Sequence, residues 1–213
     1  MIVSMTFCSC GQTKTIDNSN GFSIDPNIKK EAEKYISKSE LSDIKGKMKG
    51  MIYNNRILAD FYKNDKLEVS TKDSTAINSI FKSFYYWQHD TLGIDGAFGL
   101  FEGIGFSIKI CNGKATLYHM VASNNNPGYA YKEKDSLIYR LEIPCTDTKI
   151  VLSEIPDSTK KQIIYGYVEF KSGEYYESIG SGSIGSGEWK EFLPRNKNRA
   201  NMKIYFRSMA LPF

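Results

Sequence analysis

The sequence predicts an α+β fold in which N-terminal helices precede an antiparallel β-sandwich. Three observations support this prediction. Tyr and Phe are abundant, at 14 and 12 of 213 residues, and both favour the pleated surface of a sheet. Helical periodicity is confined to the residues before Gly96, and alternating apolar residues with turn signals follow it. We therefore expect one domain over residues 25–213, with a helical part at 25–95 and the sandwich at 96–213, behind a leader remnant and flexible tether at 1–24.

Two amphipathic helices are predicted before Gly96. Asp25 as N-cap and Pro26 at the first helical position indicate where the first begins. Its apolar stripe consists of Ile28, Ala32, Tyr35 and Ile36. The clearest helix is expected over residues 74–88, capped by Ser74, with Ile77, Ile80, Phe81, Phe84 and Tyr85 on one face. Residues 51–62 fit either a helix or a hairpin that turns at Asn54-Asn55.

The strand signals begin with a hairpin around Asn112-Gly113, a pair typical of the type I′ turn. A two-residue turn pairs residue 108 with 117 and puts Phe106, Ile108 and Leu117 on one face. His119 then lies opposite Phe106, so we expect a packed and hydrogen-bonded side chain. Further strands are predicted over residues 137–145, 149–155, 162–170, 174–179 and 202–211, with Thr146-Asp147-Thr148 and Ser172-Gly173 as turns.

Charge and ligand content argue against two classes of partner. The net charge is +4, and the Lys residues that carry most of it are dispersed along the chain, so no basic stripe for nucleic acid is formed. The chain has only two histidines, His89 and His119, and no Cys or His spacing typical of zinc. We expect no nucleic-acid partner, no metal and no cofactor. Cys111 and Cys145 are predicted to be two separate buried thiols, with a disulfide as the alternative.

The N-terminal residues form an apolar run, MIVSMTF, followed by Cys8-Ser9-Cys10 and a polar stretch over residues 11–20. This pattern resembles the end of a bacterial lipoprotein signal. The resemblance implies that Cys10, preceded by the small Ser9, is the lipid attachment site, with Cys8 as the alternative. It also implies localisation to the bacterial cell envelope, on the periplasmic or surface side, where the lipid anchor attaches the protein to the membrane. The competing interpretation is an apolar N-terminus on a cytosolic protein with incidental cysteines.

Carboxylates and one histidine gather in the glycine-bearing segment 89–105. His89, Asp90, Asp95 and Glu102 lie there, and a glycine-rich connection can bring polar groups together as an acid–base pair. We treat Asp95, Glu102 and His89 as the candidate catalytic residues. The alternative is a crossover between elements that uses glycine for backbone reasons.

Two motifs near residue 185 are weaker signals. Residues 180–185 match G-x-G-x-x-G, but no βαβ pattern surrounds them, so we expect a loop between strands rather than a dinucleotide site. Trp189, in the sequence Gly-Glu-Trp-Lys-Glu-Phe, gives this stretch a loose similarity to carbohydrate-binding jelly rolls. That similarity makes Trp189 a candidate ligand-binding residue, although a core position is the more common role for an aromatic residue of a sandwich.

The sequence as a whole favours a non-catalytic envelope lipoprotein whose folded domain serves binding or assembly, with an envelope protein or a glycan as partner. The chain has no nucleophile elbow and no metal-binding pattern. The alternative is a hydrolytic enzyme, glycan-directed, with a carboxylate site in segment 89–105. A cleft with a carboxyl pair would favour the enzyme, whereas a shallow aromatic-lined surface would favour binding.

Overall fold

A computed structural model describes residues 21–36, 57–70, 81–98, 103–123, 127–178 and 194–211 of the chain. These residues form one helix, α1 (Ile28–Ile36), and twelve strands that belong to one mixed sheet. The strands are β1 (Ser23–Ile24), β2 (Ile57–Lys63), β3 (Lys66–Ser70), β4 (Phe81–Gln88), β5 (Thr91–Phe98), β6 (Gly103–Cys111), β7 (Lys114–Ala122), β8 (Tyr129–Ala130), β9 (Arg140–Leu152), β10 (Ile163–Ser172), β11 (Tyr175–Ser178) and β12 (Arg195–Ala210).

Seven of these strands pair in a closed ring. Within the described residues its order is β4, β5, β6, β7, β9, β10 and β12, and β12 then returns to β4. The neighbours are antiparallel except at the closure, where Met209 and Ala210 pair in parallel with Phe84 and Tyr85. Closing the sheet satisfies strand edges that would otherwise stay unpaired. The remaining strands extend the sheet from β9 and β12.

The hydrophobic core fills the inside of the ring, because alternate residues of each strand point inward. Along β12 every second residue from Ala200 to Phe206 is fully buried. Aromatic rings meet there: the centroid of Phe106 lies 6.2 Å from that of Phe81 and 5.2 Å from that of Phe206. The other side of each strand, turned away from this core, is called the outer face below.

The predicted hairpin around Asn112-Gly113 is confirmed, including its register. Asn112 and Gly113 have φ angles of 51° and 73°, as a type I′ turn requires at both central positions. Ile108 pairs with Leu117, and Phe106 pairs with His119. Because a slip of one residue would turn every side chain to the other face, this match correctly places the inward and outward residues of β6 and β7.

Helix α1 lies where the first helix was predicted, and it covers the outer face of the sheet at β10 and β12. Its start is set by Asp25, whose carboxylate accepts a hydrogen bond from the backbone N–H of Asn27 at 2.9 Å. Ile28 packs against Val151 and Tyr167, with Tyr205 alongside. Within the described ranges, no helix has the length and apolar character needed to cross a membrane.

The prediction of an α+β fold is wrong, because the structure is predominantly strand. The expected helical part at 25–95 contains α1 as its only described helix and then β2, β3, β4 and β5. The second half of the expected helix at 74–88 is the strand β4, in which Phe81, Ser83 and Tyr85 are buried on the inner side. The sheet is also mixed rather than purely antiparallel, since β1 and β4 have parallel partners.

Two predicted turns are also wrong. Residues 146–148 do not reverse the chain: β9 continues through them, with an irregular register opposite β10 and a φ of 49° at Asp147. Polar turn-type residues here form a bulge, which bends a strand without ending it. Strands β10 and β11 flank Gly173 but do not pair with each other, because both pair with β12. For residues 51–62, the described part is β2, which turns at Asn64-Asp65 into β3.

Candidate functional site

The structure separates the sequence-predicted catalytic residues that it describes. His89 is exposed in the turn between β4 and β5, with a φ of 53°. Asp95 lies six residues further along, on the outer face of β5, about 20 Å away at the usual rise of a strand. Asp90 is exposed beside His89. Glu102, Trp189, Cys8, Cys10 and the glycine-rich residues 180–187 lie outside the described residues, as does Ser74.

Asp95 belongs to a group of polar and aromatic side chains on the outer face of the ring. Strand pairing puts Asp95 opposite Ser107, and Ser107 opposite Tyr118. Tyr86 and Lys109 both lie opposite Gly93. Arg140 and Glu142 join the group from β9. We call these seven residues the outer-face cluster: Tyr86, Asp95, Ser107, Lys109, Tyr118, Arg140 and Glu142.

Ion pairs connect strands of the cluster that are not neighbours in the sheet. The Nζ of Lys109 on β6 lies 2.6 Å from Oε2 of Glu142 on β9, across β7. The Nη2 of Arg140 on β9 lies 3.3 Å from Oε1 of Glu142 and 3.9 Å from Oδ2 of Asp95 on β5, across β7 and β6. The hydrogen bond to Glu142 raises the pKa of Lys109 above its usual value. The long side chains therefore span the sheet above shorter residues of the strands between.

The cluster contains two carboxylates, but their arrangement is that of an ion-pair network. Asp95 and Glu142 both contact the same nitrogen of Arg140, so their oxygens are at most about 7 Å apart, within the range of glycosidase carboxyl pairs. Such a pair needs one carboxyl that donates a proton. Here Arg140 lies between the two carboxylates and balances their charges. The geometry is that of electrostatic compensation rather than of an acid and a base facing a substrate.

Two polar atoms of the cluster are buried without a hydrogen-bond partner among the described residues. They are Oδ1 of Asp95 and Oγ of Ser107. The Ser107 side chain is on the outer face, yet the residue is only 1% exposed, whereas the Asp95 side chain is 26% exposed. A buried polar atom without a partner loses its hydrogen bonds to water and forms none with the protein, which lowers the stability of the fold. The two atoms belong to directly paired residues, so one added polar group could reach both.

The ring of Tyr86 lies flat against the backbone of β5. A Cβ atom built on Gly93 would be 2.4 Å from Cζ, 2.6 Å from Cε2 and 2.8 Å from the hydroxyl oxygen of Tyr86. Three adjacent ring atoms at similar distances mean that the ring faces Gly93 with its flat side. Only glycine leaves room for this contact. Burial raises the pKa of Tyr86 above its usual value, and Asp95 adds to the effect while Lys109 and Arg140 oppose it.

The inside of the ring holds a buried histidine, as the hairpin register predicted. His119 is fully buried, and its Nδ1 donates to the carbonyl oxygen of Gly105 at 3.0 Å, since a carbonyl can only accept. Burial lowers the pKa of His119 to about 4, and the hydrogen bond to Gly105 opposes this. Its ring contacts those of Phe170 and Tyr175. This environment is that of a neutral core residue.

Both described cysteines carry free thiols, so the prediction of separate thiols is confirmed, but the expected burial of both is wrong because Cys111 is exposed. Cys111 is exposed at the end of β6, beside the Asn112-Gly113 turn. Cys145 is partly buried, and burial raises its pKa to about 12. Among the described residues, no three His, Cys, Asp or Glu side chains are grouped so as to hold a metal ion.

Sequence reasoning found Asp95 but missed the rest of the outer-face cluster. Ser107 and Lys109 could have been recognised, because the correct hairpin register turns them away from Phe106. Tyr86 was missed because residues 74–88 were predicted to be a helix, whereas Tyr86 lies on the strand β4. Arg140 and Glu142 join the cluster because β9 pairs with β7. No local sequence signal indicates that these two strands pair.

The comparisons with known proteins add no family. No protein-family model matches the chain, and neither the curated proteins nor the solved structures include a significant match.

Proposed function

We propose that this chain is a non-catalytic binding or assembly module of the bacterial cell envelope, tethered to a membrane by a lipid on Cys10. The outer-face cluster is its binding surface. The tether rests on the resemblance of residues 1–20 to a lipoprotein signal. The binding surface rests on the geometry of β4 to β9.

The observation that carries the binding role is the pair of buried atoms without partners, Asp95 Oδ1 and Ser107 Oγ, between Tyr86 and Tyr118. Binding sites combine aromatic surface with a few placed polar groups, and Tyr and Arg are enriched where interfaces derive most of their energy. Tyr131 borders the cluster, because its hydroxyl donates to the backbone oxygen of Glu142 at 3.0 Å.

The hydrolase alternative has less support from the geometry. General acid–base catalysis needs groups within hydrogen-bond reach of the reacting atoms. The exposed His89 is about 20 Å along the strand from Asp95. Among the described residues, which do not include Glu102, the carboxylate near Asp95 is Glu142, and Arg140 lies between the two. An aromatic-bordered surface with balanced charges favours binding.

The tether is tested by expressing the chain in a Gram-negative host with a short basic segment placed before Met1. We expect fatty-acid labelling and membrane fractionation, since the Cys residue of a lipoprotein signal is acylated. Cys10→Ser should abolish both, and Cys8→Ser should leave both unchanged. Labelling that survives Cys10→Ser but not Cys8→Ser would move the anchor to Cys8, and labelling that survives both would contradict the tether.

The binding surface is tested with the soluble Cys10→Ser chain, sedimented with an isolated cell-envelope fraction. We expect co-sedimentation that is lost in the Tyr118→Ala/Arg140→Ala double variant. Lys171→Ala is the matched control, because Lys171 is an exposed, ion-paired residue of β10 outside the cluster. Equal sedimentation of the cluster variant and the control would contradict the assignment of the surface.

A further inference from the structure

We infer that the ligand of the outer-face cluster is a neutral saccharide, which lies on the ring of Tyr86 and hydrogen-bonds to Asp95 Oδ1 and Ser107 Oγ. This inference rests on the proposed function and names the ligand class of the same surface. It follows from three features of the cluster, which are a flat aromatic ring, two adjacent polar atoms without partners, and a balance of charges.

The flat ring is that of Tyr86. One side of it lies against Gly93, so the opposite side is turned away from the sheet. Tyr86 is half-buried rather than packed in the core. A ring held parallel to the sheet offers an apolar platform with a polar tip, and the C–H face of a pyranose fits such a platform. Gly93 is the residue that permits this orientation.

The two polar atoms lie beside this platform. Asp95 follows Gly93 by two residues on the same face of β5 and pairs with Ser107 on β6. Directly paired residues have Cβ atoms about 5 Å apart. One sugar residue can bridge that spacing with two hydroxyl groups. The Asp95 carboxylate can only accept a hydrogen bond, whereas the Ser107 hydroxyl can donate or accept. A hydroxyl that donates to a carboxylate makes one of the stronger hydrogen bonds in proteins.

The Arg140 side chain lies beside the Asp95 carboxylate and contacts its other oxygen, Oδ2. It is 53% exposed and only 3.9 Å from Asp95, a looser contact than its 3.3 Å contact with Glu142. Exposed ion pairs of this kind contribute little to stability. Movement of Arg140 towards Glu142 therefore costs little and removes its contact with Asp95 Oδ2, so that the carboxylate can turn and present Oδ1 to a ligand hydroxyl.

The charge balance favours a neutral ligand. Asp95 and Glu142 are matched by Lys109 and Arg140 in one ion-pair network. An anionic ligand would meet the Asp95 carboxylate, and a cationic one would compete with Arg140. A protein partner is favoured less, because stable protein interfaces engage roughly 20–30 residues a side, whereas the unpartnered atoms of the outer-face cluster belong to one pair of residues.

The experiment measures binding of neutral tetrasaccharides of glucose, mannose and N-acetylglucosamine to the soluble Cys10→Ser chain by calorimetry, with tetragalacturonate as the anionic contrast. We expect at least one neutral series to bind and the anion not to bind. Ser107→Ala and Gly93→Ala should each weaken binding about tenfold or more, because one removes a hydrogen bond and the other displaces the ring. Thr116→Ala, an exposed outer-face change on β7 that leaves Tyr86, Asp95 and Ser107 unaltered, is the control.

Stability measurements distinguish loss of a site from loss of folding. Ser107→Ala should keep or raise the melting temperature, because it removes a buried hydroxyl without a partner. Tyr86→Ala removes the platform without crowding the backbone, so it replaces Gly93→Ala if the latter fails to fold. Saccharide binding that none of these variants weakens would overturn the inference, as would binding of tetragalacturonate alone.

The saccharide-binding and sedimentation experiments together distinguish failure of this inference from failure of the proposed function. If no saccharide binds, but Tyr118→Ala/Arg140→Ala still abolishes sedimentation with the envelope fraction, the saccharide is wrong and the binding surface stands. If sedimentation does not depend on the cluster and no saccharide binds, both are wrong.

Discussion

Acidification should destabilise the folded chain through His119. In the folded state this imidazole is fully buried, and its pKa is about 4, against about 6.5 in an unfolded chain. Its Nε2 has no hydrogen-bond partner among the described residues, so a proton placed there would create an unpaired buried charge. The unfolded chain therefore binds a proton at mildly acidic pH that the folded chain does not.

The magnitude follows from the two pKa values. Stability falls as pH decreases wherever the unfolded state binds more protons. The loss begins as pH falls through about 6.5, and it is complete below about pH 4. Between pH 7.5 and pH 5 the expected loss is about 2 kcal/mol. This window avoids the titration of Asp157, whose pKa is lowered to about 2 chiefly by a hydrogen bond from Thr159.

The assay is urea unfolding at several pH values across that window, for the wild type and two matched variants. His119→Asn keeps a donor near the position of Nδ1 but cannot titrate, so its stability should change by much less than 2 kcal/mol over the same range. His89→Asn is the control, because His89 is exposed in a turn with positive φ that Asn tolerates. If His119→Asn and the wild type lose stability in parallel, the reasoning is refuted.

Two further predictions concern the β6–β7 hairpin and the described cysteines. Leu117→Ala should lower the free energy of unfolding by about 2–5 kcal/mol in urea titrations, because Leu117 is buried opposite Ile108; Thr116→Ala on the exposed side should cost less, and the reverse ordering would contradict the register. In a background without the two N-terminal cysteines, iodoacetamide should alkylate Cys111 in the folded chain and Cys145 only in denaturant, since Cys145 is partly buried with a raised pKa. Mass spectrometry that finds equal labelling of both thiols in the folded chain would contradict this.

The β6–β7 hairpin could be predicted to the residue because all of its information is local. Asn112-Gly113 specifies the turn, and the alternation of Phe106, Ile108 and Ile110 specifies the inward face. Once the turn was known, the register followed without reference to the rest of the chain. The burial of His119 could be predicted for the same reason.

The β4 strand could not be predicted because its sequence, FKSFYYWQ, is apolar or aromatic at most positions. Such a run satisfies helical spacing at Phe81, Phe84 and Tyr85 as well as strand spacing. In the structure Phe81 and Tyr85 face the core, whereas Phe84 and Tyr86 lie half-buried on the outer face. Aromatic residues on both faces conceal the period of two.

The outer-face cluster was only partly predictable because its members come from strands far apart in sequence. Asp95 stood out through its local context, yet Arg140 and Glu142 reach it only when β9 pairs with β7. The bulge at Asp147 shows why the predicted turn at residues 146–148 was wrong: a polar triplet that usually reverses the chain here bends one long strand.

The ring closure through β12 has a consequence for how the chain folds during synthesis. β12 pairs with β10, β11, β2 and β4, all of which leave the ribosome before it. Until β12 emerges, β4 and β10 each lack a neighbour and expose an edge to association with other chains. Many contacts that join β12 to strands more than a hundred residues earlier also make folding slow. The nascent protein is therefore most vulnerable to aggregation just before its last described strand is made.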